Sequence, residues 1–350
     1  MALVATAALL AACGSAAPTN SSTSTTAGPT SSGTASVACA GSLTKLYGTV
    51  LGPDYAKATG NKFGGPPCAG SSDLAQEILS KAISPGVFLA VGAKPIKTLF
   101  PSRAKFAINL ATDPLVIAYS SKSADASQLD AIASGSKPLS ALFTLMASPG
   151  FKLGRTDPTQ DPQGEFFIVM MKLAQSELKL PAGQSDKILG ISASSPYGAA
   201  SQQFDEDALP TDELEGEVDA GSSYLSEALQ YGLKYIALPS DLNFADPADL
   251  ADYSSVSLEV TGSLFVGGLI TLDTTLVLPA GATLISSSDR AANDEFVAYL
   301  MGAGRQVLSQ AGYSLTTPTI VLAPGVSGPA AVLPGNVLAA FNALHGKVAA

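Results

Sequence analysis

Histidine is almost absent. The 350-residue chain has one, His345, in the C-terminal tail beyond the last strong helical pattern. A Ser-His-Asp triad would have to recruit it from there, and a zinc-type site finds no close Cys/His cluster to draw on. Basic residues are scarce too. Lys and Arg number 19 against 29 Asp and Glu, giving a formal net charge of −10 and a pI near 4.6, the opposite of the basic faces that nucleic-acid binders carry. After the first residues no apolar run is long and uncharged enough to span a bilayer. Residues 262–278 come closest, but they contain glycines and Asp273.

What the N-terminus does have is a short apolar run, residues 2–10, ending in Leu10-Ala11-Ala12-Cys13-Gly14. An apolar core followed by small residues predicts a secretory signal over 1–13. The cysteine resembles that of a bacterial lipobox, in which Cys13 becomes the lipidated first residue of the mature protein. No Lys or Arg precedes the run, a departure that a start codon further upstream would explain. Residues 14–36 are nearly all Ser, Thr, Ala, Gly and Pro, a composition that cannot bury apolar area and predicts a flexible tether. The expectation is a body outside the cytoplasm, anchored to the outer face of the cell membrane through Cys13. The length after the tether suits two domains of roughly 100 to 200 residues.

The tetrapeptide Cys-Ala-Gly-Ser occurs twice, as Cys39-Ala40-Gly41-Ser42 and Cys68-Ala69-Gly70-Ser71, each ahead of a helical pattern. Gly41 and Gly70 let the backbone approach a ligand, and Ser42 and Ser71 add hydroxyls. A helix starting there aims free N–H groups and its positive dipole end at the same point. Two such loops converging would cradle a small, doubly charged oxyanion; two ordinary strand-to-helix turns are the alternative. If the repeats end adjacent parallel strands, Cys39 and Cys68 have Cα atoms about 5 Å apart, within disulfide range. The bridge is the expectation and two buried free thiols the alternative.

Further along, strand and helix patterns alternate. Apolar runs at 87–91, 106–110 and 115–119 read as strands covered on both faces, as in a parallel sheet. Helices are predicted from Ser71, over 163–178, over 224–231 and over 293–311, with a strand at 234–238. The order is α/β throughout.

Four segments, taken together and in order, resemble the tungstate/molybdate-binding proteins of ABC importers: Ala40-Gly41-Ser42-Leu43; Ala69-Gly70-Ser71; Gly154-Arg155-Thr156-Asp157-Pro158 with Asp161-Pro162-Gln163-Gly164; and residues 231–239. The resemblance runs from about residue 37 to 317. It implies a two-lobed type II periplasmic-binding-protein fold, each lobe a mostly parallel sheet flanked by helices, with the ligand in the interlobe cleft. One lobe would comprise 37–111 and 246–317, the other 112–245, and 318–350 would be a C-terminal extension. Also implied are hinge closure on the ligand, a monomer, permease and ATPase partners, and no cofactor.

Carried onto this chain, the resemblance places Ser42, Ser71, Gly41 and Gly70 on the oxyanion from the first lobe. From the second come the helix N-terminus at Asp161 and the pair Ser223 and Tyr224. The family has a cysteine where this chain has Gln163, and a glutamate where it has Ser223. Without that glutamate the expectation is a tetrahedral molybdate or tungstate held by Ser42, Ser71, Ser223, the Tyr224 hydroxyl and backbone N–H groups. Asp161 then serves as helix cap rather than metal ligand, and no protein atom bonds a metal directly. A site made only of donors disfavours protonated phosphate, whose hydroxyl would stay unpaired, and leaves sulfate as the competitor. A different class of reading takes Ser42-Leu43-Thr44-Lys45 as the Ser-x-x-Lys of an acyl-enzyme. Its partner motifs are missing, and Lys45 on a solvated helix face explains the pattern. The acidic stretch 205–217 suggests an interaction scaffold or, more plainly, a solvated helix-and-loop insertion.

Overall fold

The computed structural model describes residues 32–281 and 285–349. The signal-like run, Cys13 and the tether up to residue 31 lie outside them. The body begins at β1 (Thr34–Cys39), inside the stretch whose composition reads as tether. Ala35, Val37 and Cys39 enter one core and Ala38 the opposite one, so a strand of small residues is buried on both faces. It pairs in parallel with β2 (Lys62–Gly64) and β3 (Val87–Val91).

After β4 (Phe106–Thr112) the chain crosses at Asp113-Pro114 into β5 (Leu115–Tyr119) of a second sheet. That sheet adds β6 (Leu153–Thr156), β7 (Gln203–Phe204), β8 (Ala220–Tyr224) and β9 (Lys234–Ala237), in the order β7-β6-β8-β5-β9. A hairpin of β10 (Ser257–Val260) and β11 (Ser263–Val266) follows. The chain then returns to the first sheet through β12 (Thr271–Leu276), β13 (Ser314–Leu322) and β14 (Lys347–Val348), completing the order β14-β13-β4-β12-β3-β1-β2.

The two-lobed α/β architecture is as expected, but the sheets are mixed rather than mostly parallel. β12 lies antiparallel between β3 and β4, and β5 is antiparallel to both β8 and β9. The apolar runs misled for a physical reason: they report that both faces are covered and say nothing about strand direction. In β5, Leu115 and Ile117 face the main core, while Val116 and Ala118 pack with Ala228 and Leu233.

Other boundaries shift as well. Phe244 and Phe265 pack on Phe166 of the Pro162–Glu177 helix, so the segment after 246 stays with the second sheet and the return crossing falls at 267–270. There the Asp113 N–H donates to the Ile270 carbonyl, 3.1 Å away, which lays the two crossings side by side. The helix expected over 293–311 is two, Ser287–Met301 and Gly304–Gln310, parted at Gly302; apolar spacing continues through a glycine break that the backbone does not. Residues 318–350 pack onto the body. β13 pairs with β4 as far as Leu322↔Phe106, and the Gly335–Ala343 helix buries Val337 and Phe341. Among the described residues no helix is long and apolar enough to cross a membrane.

Candidate functional site

Both repeats end at one edge of the first lobe. Ala40 and Ala69 form a parallel β-bridge, the Ala69 N–H donates to the Cys39 carbonyl at 3.2 Å, and Cys39 and Cys68 are joined in a disulfide with Cα atoms 4.7 Å apart. The first copy opens a helical run over residues 41–59. The second caps the Ser71–Ser80 helix with Gly70. Ser42 and Ser71 are fully buried. Ser71 Oγ accepts the Val91 N–H at 3.1 Å, which leaves its own proton free to be donated. Ser42 Oγ has no protein partner.

Across the cleft the second lobe comes close enough to require glycine at both repeats. A Cβ on Gly70 would lie 2.7 Å from the Gln160 carbonyl, which also accepts the Asp73 N–H; a Cβ on Gly41 would lie 2.5 Å from Glu206 Oε2. Asp161 caps the Pro162–Glu177 helix, its Oδ1 accepting the Gln163 N–H at 3.2 Å while Oδ2 is buried without a partner. Gln163, in the family's cysteine position, donates through Nε2 to Glu227 Oε2 at 3.1 Å and accepts from Ser222 at 2.7 Å. Ser223 turns its single proton towards Glu227 Oε2, 2.9 Å away, with the Tyr224 carbonyl as a weaker second acceptor at 3.2 Å. It is therefore committed to a carboxyl rather than free for a ligand. The Tyr224 hydroxyl is buried and unpartnered.

A site of donors alone is not what the chain builds. Asp161, Glu206 and Glu227 are buried together, and Glu206 comes from the acidic stretch that reads as solvated. Within that stretch Asp205, Asp207, Glu215 and Glu217 are exposed, but Glu206 and Glu213 are buried. Burial pushes the Asp161 carboxyl up to about 7 and that of Glu227 to about 8, the latter partly relieved by the hydrogen bonds from Ser223 and Gln163. Glu206 is raised well above the carboxylate range by burial and by the charges of Asp161 and Glu227. The Ser42 hydroxyl and N–H, which lie close to it, work the other way. Tyr224 is raised well above its ordinary value by burial and by the same carboxyls. Beside this cluster is a cavity of about 240 Å³ lined by Gly70, Asp73, Asp157, Gln160, Asp161 and Glu206, among others. Among the described residues no group of three or more His, Cys, Asp or Glu side chains is arranged to hold a metal ion.

Lys45 does not serve Ser42. It is exposed, and its ammonium stands 4.8 Å from the centre of the Tyr231 ring. His345 is exposed at the end of the last helix, with φ 54°. Glu206 and Glu227 are the site residues that sequence reasoning missed. For Glu227 a signal existed, four residues beyond Ser223, but a glutamate in the first turn of the Leu225–Tyr231 helix reads equally as a partner for the helix dipole.

Two α/β lobes joined by paired crossings, with buried and unsatisfied polar groups from both lobes, make the cleft between them the candidate site. The chain belongs to the bacterial extracellular solute-binding proteins, whose family profile matches residues 35–314. It is similar to the molybdate/tungstate-binding protein WtpA of Pyrococcus abyssi, with 26% identity over 238 residues, 63% of this chain and 65% of that protein. WtpA of Thermococcus kodakarensis is also 26% identical over 238 residues, 64% of its length. The chain thus spans slightly less than two thirds of either relative. The periplasmic molybdate-binding protein of Azotobacter vinelandii, a solved structure, is 15% identical over 80% of this chain and 99% of that one, with a TM-score of 0.49.

Proposed function

We propose that this protein captures a tetrahedral oxyanion, molybdate or tungstate, outside the cytoplasm and delivers it to the permease and ATPase of an ABC importer. The observation that carries this is that Ser42 from one lobe and Tyr224 from the other each bury a hydroxyl without a hydrogen-bond partner, Ser42 beside Glu206 and Tyr224 within reach of its charge. Orphaned buried donors cost stability unless something accepts from them, and an oxyanion accepts from every side. The names of the WtpA relatives support the ligand class. The carboxyls do not forbid it: burial favours their neutral forms, which donate to an anion instead of repelling it.

Closure would be by rotation of the lobes about the crossings at Asp113 and Ile270, a hinge of the usual kind. Anchoring through a lipid on Cys13 belongs to the same proposal, and the intact mass of the mature protein checks it. Thermal unfolding in the presence of molybdate, tungstate, sulfate and divalent cations tests the ligand. A bound oxyanion at a hundredfold over its dissociation constant should stabilise by roughly 2.7 kcal/mol. No shift with any of the three anions, or a shift only with the cations, would overturn the reading.

A further inference from the structure

As Asp161 does less closely at Gly70, Glu206 reaches from the second lobe onto the Gly41 cradle of the first. It follows β7, whose Phe204 pairs with Thr156 of β6, and that pairing carries the next residues over the cleft. Its side chain lies against the Cα of Gly41, where a Cβ would meet Oε2 at 2.5 Å, its own Cβ at 2.9 Å and its Cδ at 3.1 Å. Only 4% of the residue is exposed and neither carboxyl oxygen has a hydrogen-bond partner. The Gly41–Ser42 turn, read from sequence as a seat for an anionic oxygen, thus has a carboxyl of the protein's own standing on it.

We propose that Glu206 couples oxyanion capture to a proton: a dianion settles on the Gly41–Ser42 cradle only when this carboxyl is in its acid form, which then donates to the ligand. The inference rests on the oxyanion reading and adds to it a residue and a pH dependence. A charged Glu206 would oppose a dianion at contact distance in a site shielded from water, where like charges repel strongly. A neutral Glu206 offers one more donor beside Ser42 and Tyr224. The groups electrostatically linked to it are Asp161 at the start of the Pro162–Glu177 helix, Glu227 in the first turn of the Leu225–Tyr231 helix, Tyr224 at the end of β8, Tyr313 just before β13, and the adjacent Ser42. Asp205 and Asp207 flank it in sequence and are exposed. Burial is the main force holding the proton on Glu206, and the charges of Asp161 and Glu227 add to it once those groups ionise.

Calorimetric titration of the full chain with sodium molybdate from pH 6 to 9, for wild type and Glu206→Gln, tests this. Wild-type affinity should fall by up to about tenfold per pH unit once Glu206 ionises, with proton uptake visible as a dependence of the binding heat on buffer. Glu206→Gln keeps a donor but cannot ionise. It should bind at pH 6 within about tenfold of wild type and take up about one proton fewer at high pH. An unchanged pH slope in the variant overturns the inference. If the variant does not fold, the wild type alone decides, because binding without proton uptake at any alkaline pH at which the protein stays folded also overturns it. Absence of molybdate, tungstate and sulfate binding at pH 6 would overturn the oxyanion reading with it, whereas binding with no pH slope overturns only the role of Glu206.

Discussion

Tyr224 has its phenol buried among carboxyls with nothing in the protein to bond it. Removing that hydroxyl takes away an unsatisfied group, so Tyr224→Phe should leave the ligand-free melting temperature unchanged or slightly raised. Oxyanion affinity should drop by about tenfold to a hundredfold, the worth of a hydrogen bond to a charged partner. A lowered melting temperature with unchanged affinity would mean that the hydroxyl is structural. The carboxyls make a second prediction. Asp113 and Asp161 keep their protons to about 7, and Glu227 to about 8, chiefly because they are buried; in the unfolded chain such groups ionise near pH 4. Between those limits the unfolded state binds fewer protons, so the stability these three groups contribute is fully present below about pH 4 and is lost as pH rises through 7 to 8. Calorimetry on the ligand-free protein should show a higher melting temperature at about pH 5.5 than at about pH 8.5. A flat or rising profile would contradict the buried acid cluster.

The elements bearing the cradles were largely legible from sequence. Gly-Ser before an apolar helical period located Ser42 and Ser71, and Asp-Pro located the cap at Asp161, because capping chemistry is local. Glu206 was not legible, since its burial depends on a two-residue pairing of β7 with β6, and its composition matches that of its exposed neighbours Asp205 and Asp207. Nor could strand direction be read from apolar runs. The tight approach of the loops at Gly70 gives a test at this scale: Gly70→Ala places a methyl against the rigid Gln160 carbonyl. The lobes of that variant should fail to close fully, leaving a larger radius of gyration with molybdate in small-angle scattering and weaker binding. A variant as compact as wild type would rule out this contact as a closure surface.

At the level of the whole molecule the lobes are held across the cleft by Lys94, whose ammonium meets Glu165 at 2.6 Å and lies 5.3 Å from the Phe265 ring centre. Glu165 is buried and raised above its ordinary range by that burial, with Lys94 opposing the shift. Lys94→Met should therefore cost about 1 to 3 kcal/mol in denaturant unfolding, less than a fully buried pair because Lys94 is partly exposed; no loss would mark the pair as incidental. The Cys39–Cys68 link spans 29 residues of sequence, and replacing both with serine should cost roughly 3 kcal/mol. Its wider effect is on the spacing of Ser42 and Ser71. Material made in a reducing cytosol would retain each loop while losing the fixed gauge between them, and purified batches would then differ in grip according to their redox history rather than their sequence.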